Sequence, residues 1–242
     1  FDIMKDVVSI SSAARMKGKL KRRWPLNEAQ ICVKKNQKLK LESLSDLLKS
    51  QLNVEKFNII ETEKENGLEQ LLELKELGLP VKSKLELERK RIGPKAKQYM
   101  GKLVNTFSET NPEEIISALQ KDGEYDFKID DEVISLNKRD FIVGFDASEN
   151  FAVANRDEFT VFISTLRNKE MMAKGLVKDV ARRLQTLRKE RGYNPTDILE
   201  VASILELDEE SLEMIKNRDE ELAFLVRVKK VNFEESCKEY KE

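Results

Sequence analysis

FAVANRDEFTVFISTLRNKEMMAKGLVKDVARRLQTLRKERGYNPTDIL, residues 151–199, decides the fold class. Two short apolar runs, 151–154 and 159–163, flank Arg156-Asp157-Glu158, a turn of hairpin length, and read as an up-and-down strand pair. Residues 168–191 then read as one long helix stopped by Gly192, and 198–205 as a strand. Strands and helices of this kind, following an initial helical piece, define an α+β chain. At about 100° per residue from Met172, the side chains of Leu176, Val180, Leu184 and Leu187 fall between roughly 40° and 120°, an apolar stripe. Lys174, Lys178, Arg182, Gln185 and Lys189 fall between roughly 200° and 280°, opposite the stripe. That cationic row is expected to face solvent, with no acid on its own face to relieve it.

Toward the N-terminus the same periodicities continue. Residues 1–20 have helical spacing at Ile3, Val7, Ile10 and Ala14, and a basic turn from Lys17 to Trp24 closes at Pro25. Short strands are expected at 29–33 and 57–60. A helix at 39–52 places Leu41, Leu44, Leu47, Leu48 and Leu52 on one face, and another spans 67–77 before Gly78 and Pro80. A strand at 82–88 leads to Gly93-Pro94, read as a helix opening that runs to about 107. Asn111-Pro112-Glu113-Glu114 has the chemistry of a helix start, with cap, first-turn proline and first-turn acids. Strands follow at 125–129, 133–136 and 141–145, with a tight turn at Asp130-Asp131. Beyond 205, a helix at 208–221, a strand at 224–233 and a charged, frayed tail from Glu234 are expected.

Composition narrows the chemistry. The 242 residues carry 44 basic and 45 acidic side chains, charged residues make up 37%, and the formal net charge is −1. That balance conceals segregation: 1–60 is net +7, 61–81 −4, 82–102 +6, 103–165 −9, 166–192 +6 and 193–242 −7. Such a chain can present a positive face while staying soluble. There is no histidine, which removes Ser-His-Asp and Cys-His catalysis and HExxH zinc sites from this chain. Cys32 and Cys237 cannot build a four-thiolate zinc site. Lys82-Ser83-Lys84 lacks a glycine-rich phosphate loop, and the carboxylate pairs at Glu113-Glu114, Asp130-Asp131 and Glu209-Glu210 sit where acids stabilise turns and helix starts. No catalytic residue and no metal ligand is expected. No stretch is long and apolar enough to span a membrane and no leader pattern opens the chain, so an intracellular, cytoplasmic setting is expected. Because Phe1 falls inside a helix pattern, the chain is expected to be a piece of a longer one.

Three basic patches are the candidate binding residues. The first is Lys17, Lys19, Lys21, Arg22 and Arg23, whose cations could each neutralise a phosphate. Trp24 beside them is read first as packed core and second as a platform for an exposed base. The second patch straddles a strand end and a helix start and includes Arg89, Arg91 and Lys95, where backbone N–H groups also favour anions. The third is the row Lys174, Lys178, Arg182 and Lys189. Each has a plain alternative as a solvated surface, which for the second patch stands level with the binding reading.

Two stretches carry a resemblance. AARMKGKLKRRWPLNEAQICV, residues 13–33, resembles the end of the helical anticodon-binding domain of class I isoleucyl-tRNA synthetases. Residues 151–199, above all Ala181-Arg182-Arg183-Leu184-Gln185 with Leu187-Arg188-Lys189 and Gly192, are similar to that family's C-terminal domain. The resemblance implies three segments: 1–36 as the end of the anticodon-binding domain, 37–110 as an α/β junction, and 111–242 as an α+β C-terminal unit with antiparallel strands and one long helix. It implies a parent ligase that joins isoleucine to tRNA(Ile) with ATP and Mg, in catalytic and editing domains outside this chain. The family's His-Ile-Gly-His-type motif is impossible here, and the absent four-cysteine knuckle suggests the archaeal or eukaryote-like branch. The implied role of the piece is non-catalytic: holding the anticodon arm. The alternative is a protein-interaction module that docks on the synthetase body or on a partner through the acidic blocks 103–165 and 193–242.

Overall fold

A computed structural model describes residues 2–234. The chain is a mixed α/β structure of three packed units, one inserted within another. The first unit opens with α1 (Asp2–Lys17), β1 (Leu26–Val33), α2 (Lys35–Glu42), α3 (Ser45–Leu52) and β2 (Val54–Glu61). The inserted unit contains α4 (Gly67–Glu76), β3 (Val81–Leu87), α5 (Arg89–Ala96), α6 (Met100–Glu109), α7 (Pro112–Lys121), β4 (Glu124–Ile129), β5 (Glu132–Asn137) and β6 (Phe141–Ala147). The chain then returns to the first unit through β7 (Phe151–Arg156) and β8 (Phe159–Ser164). The last unit is α8 (Lys169–Glu190), β9 (Leu199–Leu205), α9 (Glu209–Lys216), α10 (Asp219–Val226) and β10 (Val228–Glu234).

The organising sheet has the order β2-β1-β8-β7. β1 pairs parallel with β2 and antiparallel with β8, so Ala29 lies beside Phe57 on one side and Ile163 on the other. All six residues of β8 are buried, as expected for a strand covered on both faces. One face packs Ala152, Ala154, Val161 and Ile163 of β7 and β8 against α1, whose Val7, Ile10 and Ala14 belong to the same core. The other packs Cys32, Val153 and Phe162 against Leu74 and Leu79 of the insert. Each fully buried Val, Leu, Ile or Phe side chain here contributes about 1.5–3 kcal/mol. This sheet takes β1 from the expected segment 1–36, β2 from 37–110 and β7 and β8 from 111–242, so packing crosses both of those boundaries.

The 151–199 reading locates the strand pair and the long helix correctly, and Asn168 caps α8 by accepting from Met171 N–H at 2.8 Å. Other expectations need correction. The strands are mostly antiparallel, but β1/β2 and β9/β10 are parallel pairs. The helix expected at 39–52 is two helices separated at Ser43-Leu44. Gly93-Pro94 does not open a helix; α5 begins at Arg89, includes Pro94, and ends at Ala96, where the following Lys97, at φ 45°, breaks the helical path. Residues 224–226 are helix and not strand, because α10 ends at Arg227 in the left-handed region, φ 54°. A short apolar run such as Ala223-Phe224-Leu225-Val226 fits either period. Glu234, the first residue of the expected tail, ends β10; the rest of that tail, Cys237 included, lies outside the described residues. Among the described residues, no helix is long and apolar enough to cross a membrane.

The long helix buries two sides rather than one. Met171, Ala173, Gly175, Val177 and Ala181 are its buried residues. Leu176, Val180 and Leu184 are only partly buried, against the cluster formed by α9, α10, β9 and β10. Leu187, expected in the buried stripe, is 53% exposed.

Candidate functional site

The basic turn is built on a buried arginine. Arg15, near the end of α1, is 3% exposed. Its Nη1 donates to the carbonyls of Lys21 (3.2 Å) and Trp24 (2.9 Å). Its Nη2 donates to Leu52 (2.7 Å) and Asn53 (3.1 Å) at the end of α3. These carbonyls include ones that a helix C-terminus leaves unpaired. Burial, reinforced by the nearby Arg22 charge, lowers the Arg15 guanidinium to about 10. Asn53, in the left-handed region at φ 50°, donates from Nδ2 to the Arg23 carbonyl at 3.0 Å. The turn backbone is thus held from two elements while Lys17, Lys19, Lys21, Arg22 and Arg23 project their side chains outward, all exposed. Nothing in the local sequence pattern distinguishes Arg15 from its exposed neighbours, and its role is legible only once α3 packs beside it.

Trp24 docks this turn onto α8. Its ring lies over Gly175, where a Cβ would stand 2.6 Å from Trp24 Cγ. Its Nε1 donates to Asp179 Oδ2 at 2.9 Å, and Lys21 Nζ donates to the same oxygen at 2.8 Å. Lys21 and Arg167 also stand over the indole, 5.1 and 5.2 Å from the ring centroid. The ring is therefore engaged within the chain, in keeping with the packing alternative. Burial alone would raise the Asp179 carboxyl, but hydrogen bonds from Lys21 and Trp24 and the charges of Lys21 and Arg23 outweigh it. They hold the carboxyl below its ordinary value.

Between the turn and α8 runs a groove of about 800 Å³. Lys21, Arg23, Arg182 and Arg183 supply its cations, Leu176, Val180, Leu187 and Leu207 its apolar surface, and Asp179 and Glu190 its acids. A second hollow of about 400 Å³ is lined by Pro25, by Lys49, Lys174 and Lys178, and by Glu55 and Glu221. The first and third basic patches are thus brought together around one contact. The cationic row needs one correction: Lys174 is paired with Glu170, one turn earlier, at 2.9 Å and faces Glu55 at 3.6 Å. Lys178, Arg182 and Lys189 are exposed and make no ion pair among the described residues.

The second patch lies elsewhere. Arg89, Arg91 and Lys95 sit on α5 in the insert. Lys95 is paired with buried Asp140 at 2.5 Å. None of the three lines the groove beside α8. Cys32 is buried in β1, and burial followed by the Glu73 charge pushes its thiol up to about 12, so it stays protonated. Among the described residues, no cluster of three or more Cys, Asp or Glu could hold a metal ion, and no buried side-chain polar atom is without a partner.

An exposed groove walled by cations on a pinned turn can hold the phosphates of a polyanion. No protein-family model matches the chain. Its similarity to curated proteins lies with the aminoacyl-tRNA ligases. The relatives it matches are isoleucine–tRNA ligases, the family resembled by residues 13–33 and 151–199. The ligase of Saccharolobus solfataricus is 28% identical over 221 residues, 91% of this chain and 21% of that protein. That of Methanocella arvoryzae is 26% identical over 232 residues, 93% of this chain and 19% of the relative. That of Bacteroides fragilis is 26% identical over 193 residues, 79% of this chain and 16% of the relative. The chain therefore spans about a fifth of the length of these relatives. Archaeal and bacterial ligases both match, so the similarity does not single out the archaeal branch.

Proposed function

We propose that the chain is the C-terminal, tRNA-binding part of an isoleucine–tRNA ligase, and that the groove between the basic turn and α8 grips the anticodon arm of tRNA(Ile). The observation that carries this reading is the meeting of Arg23 with Arg182 and Arg183 around one open groove, on a turn whose backbone Arg15 pins. Exposed arginines suit phosphates because their forked donors engage two oxygens at once. Along α8, positions four residues apart advance about 6 Å, so Lys178 and Arg182 offer successive cations to a strand lying along the helix. Lys17, Lys19 and Lys189 extend the same positive surface, and Arg89 and Arg91 on the insert would be an outlying contact. Lys21, Lys95 and Lys174 begin paired with acids and contribute less. Trp24 contributes by fixing the turn.

In this reading the joining chemistry, with its ATP and Mg, belongs to other domains of the parent cytoplasmic enzyme, and the chain positions the RNA for them. The reading is tested by titrating the chain with transcribed tRNA(Ile) at 50 and 200 mM salt. Binding that weakens steeply with salt is expected, because released counterions drive it. Reversing Arg22 and Arg23 together, or Arg182 and Arg183 together, to Glu should weaken binding at least tenfold and flatten the salt slope, with folding retained by circular dichroism. A rival reading, docking on a protein partner, draws on the acid-rich start of α10 and on Phe224 beside it, which is 82% exposed. Absence of RNA binding at low salt by a folded chain would favour that rival.

A further inference from the structure

We propose that Asp179 is a built-in phosphate stand-in that keeps the groove one positive charge below its capacity. This deepens the reading above and rests on it. The Oδ2 of Asp179 receives both the Lys21 ammonium, at 2.8 Å, and the Trp24 indole N–H, at 2.9 Å. An arriving phosphate oxygen would meet the same two kinds of donor. The groove lining holds Lys21, Arg23, Arg182 and Arg183 against Asp179 and Glu190, so the net excess is two cations. Asp179 is the acid of the two that lies within ion-pair distance of a groove cation.

The indole N–H needs only an acceptor, and Asn would provide one through its amide oxygen. The docking of the Trp24 ring over Gly175 is a matter of close approach and not of charge. What Asp adds over Asn is therefore a negative charge placed on Lys21. A polyanion must either displace Lys21 from that carboxylate or bind through the arginines alone. Asp179 thereby limits how tightly the groove holds any polyanion, and favours an RNA that also makes contacts elsewhere on the chain.

The test compares the salt dependence of tRNA binding for the wild-type chain, Asp179→Asn, and the double variant Asp179→Asn with Lys21→Met. Freeing one cation adds about one phosphate contact, which makes the slope of log affinity against log salt steeper by about 0.7–0.9. Affinity of Asp179→Asn should thus fall about threefold more than that of wild type between 50 and 200 mM salt, and exceed it at 50 mM. The double variant restores the original charge balance and should return to the wild-type slope. An Asp179→Asn chain that binds with an unchanged slope, or more weakly, would overturn the proposal and show Asp179 to be only an anchor for Trp24. So would a double variant that keeps the steeper slope. If none of the three folded chains binds RNA, the polyanion reading itself falls, an outcome distinct from binding with equal slopes.

Discussion

Gly175 and Trp24 form the contact that brings the basic turn to the long helix, and each explains the other. A lone tryptophan beside a strand is most often packed, and Trp24 is half-buried here, held against α8 rather than inside a core cluster. Its partner was not readable from sequence, because a glycine inside a helix pattern reads as a cost of about 1 kcal/mol with no visible compensation. Here the compensation is space: an added Cβ would meet Cγ of the indole at 2.6 Å. Replacing Gly175 with Ala removes the intrinsic helix penalty yet forces the ring or the helix to move. A net loss of about 1–3 kcal/mol is expected, the usual cost of overpacking, read as a lower urea midpoint with an altered tryptophan emission. An unchanged midpoint would mean that Trp24 is loosely held. Arg15 was invisible for a related reason. Its carbonyl partners on α3 come from a segment that the sequence places far along the chain, and burial of an unpaired guanidinium has no local signature.

Helices whose ends carry their own chemistry were legible. Asn111, followed by Pro112, caps α7 by accepting from Glu113 N–H at 3.0 Å, and α8 was located to within a residue or two. Helices that depend on tertiary support were not: α5 tolerates Pro94, and α10 runs on through Val226, buried in a stretch that reads as a strand. The row on α8 shows the same limit, since its first lysine is neutralised by Glu170 from the preceding turn and by Glu55 from β2. Acids in the last unit are tuned by such contacts. The Asp208 carboxyl, which caps α9 by accepting from Ser211, sits below its ordinary value chiefly through that backbone bond. Glu170 is lowered first by its bond from Lys174, and Asp179 is lowered as described. A carboxyl depressed in the folded chain contributes stability that is fully present above its ordinary value of about 4 and is lost as pH falls through the depressed one. Helical signal and melting temperature are therefore expected to hold between pH 7 and pH 5 and to drop toward pH 3. A melting temperature indifferent to pH over that range would contradict these contacts.

At the scale of the molecule, class and charge segregation were legible, and the pairing of strands distant in sequence was not. β1 lies between β2 and β8, so strands from both ends of the insert share one sheet, and no composition shift announces a pairing across so much intervening chain. The same topology explains why two basic patches meet and the third does not. The first leads directly into β1, α8 follows directly after β8, and the neighbouring strands bring the turn and the helix together. The patch on α5 is carried off by the insert. Direct evidence on where RNA sits would come from backbone amide shifts of the isotopically labelled chain titrated with an anticodon-arm hairpin of tRNA(Ile). Perturbations are expected to concentrate at 17–24 and along 174–191, with a weaker set, if any, at 89–97. Perturbations centred on the acidic segments 103–165 or 193–234, or none at low salt, would contradict the RNA-binding role.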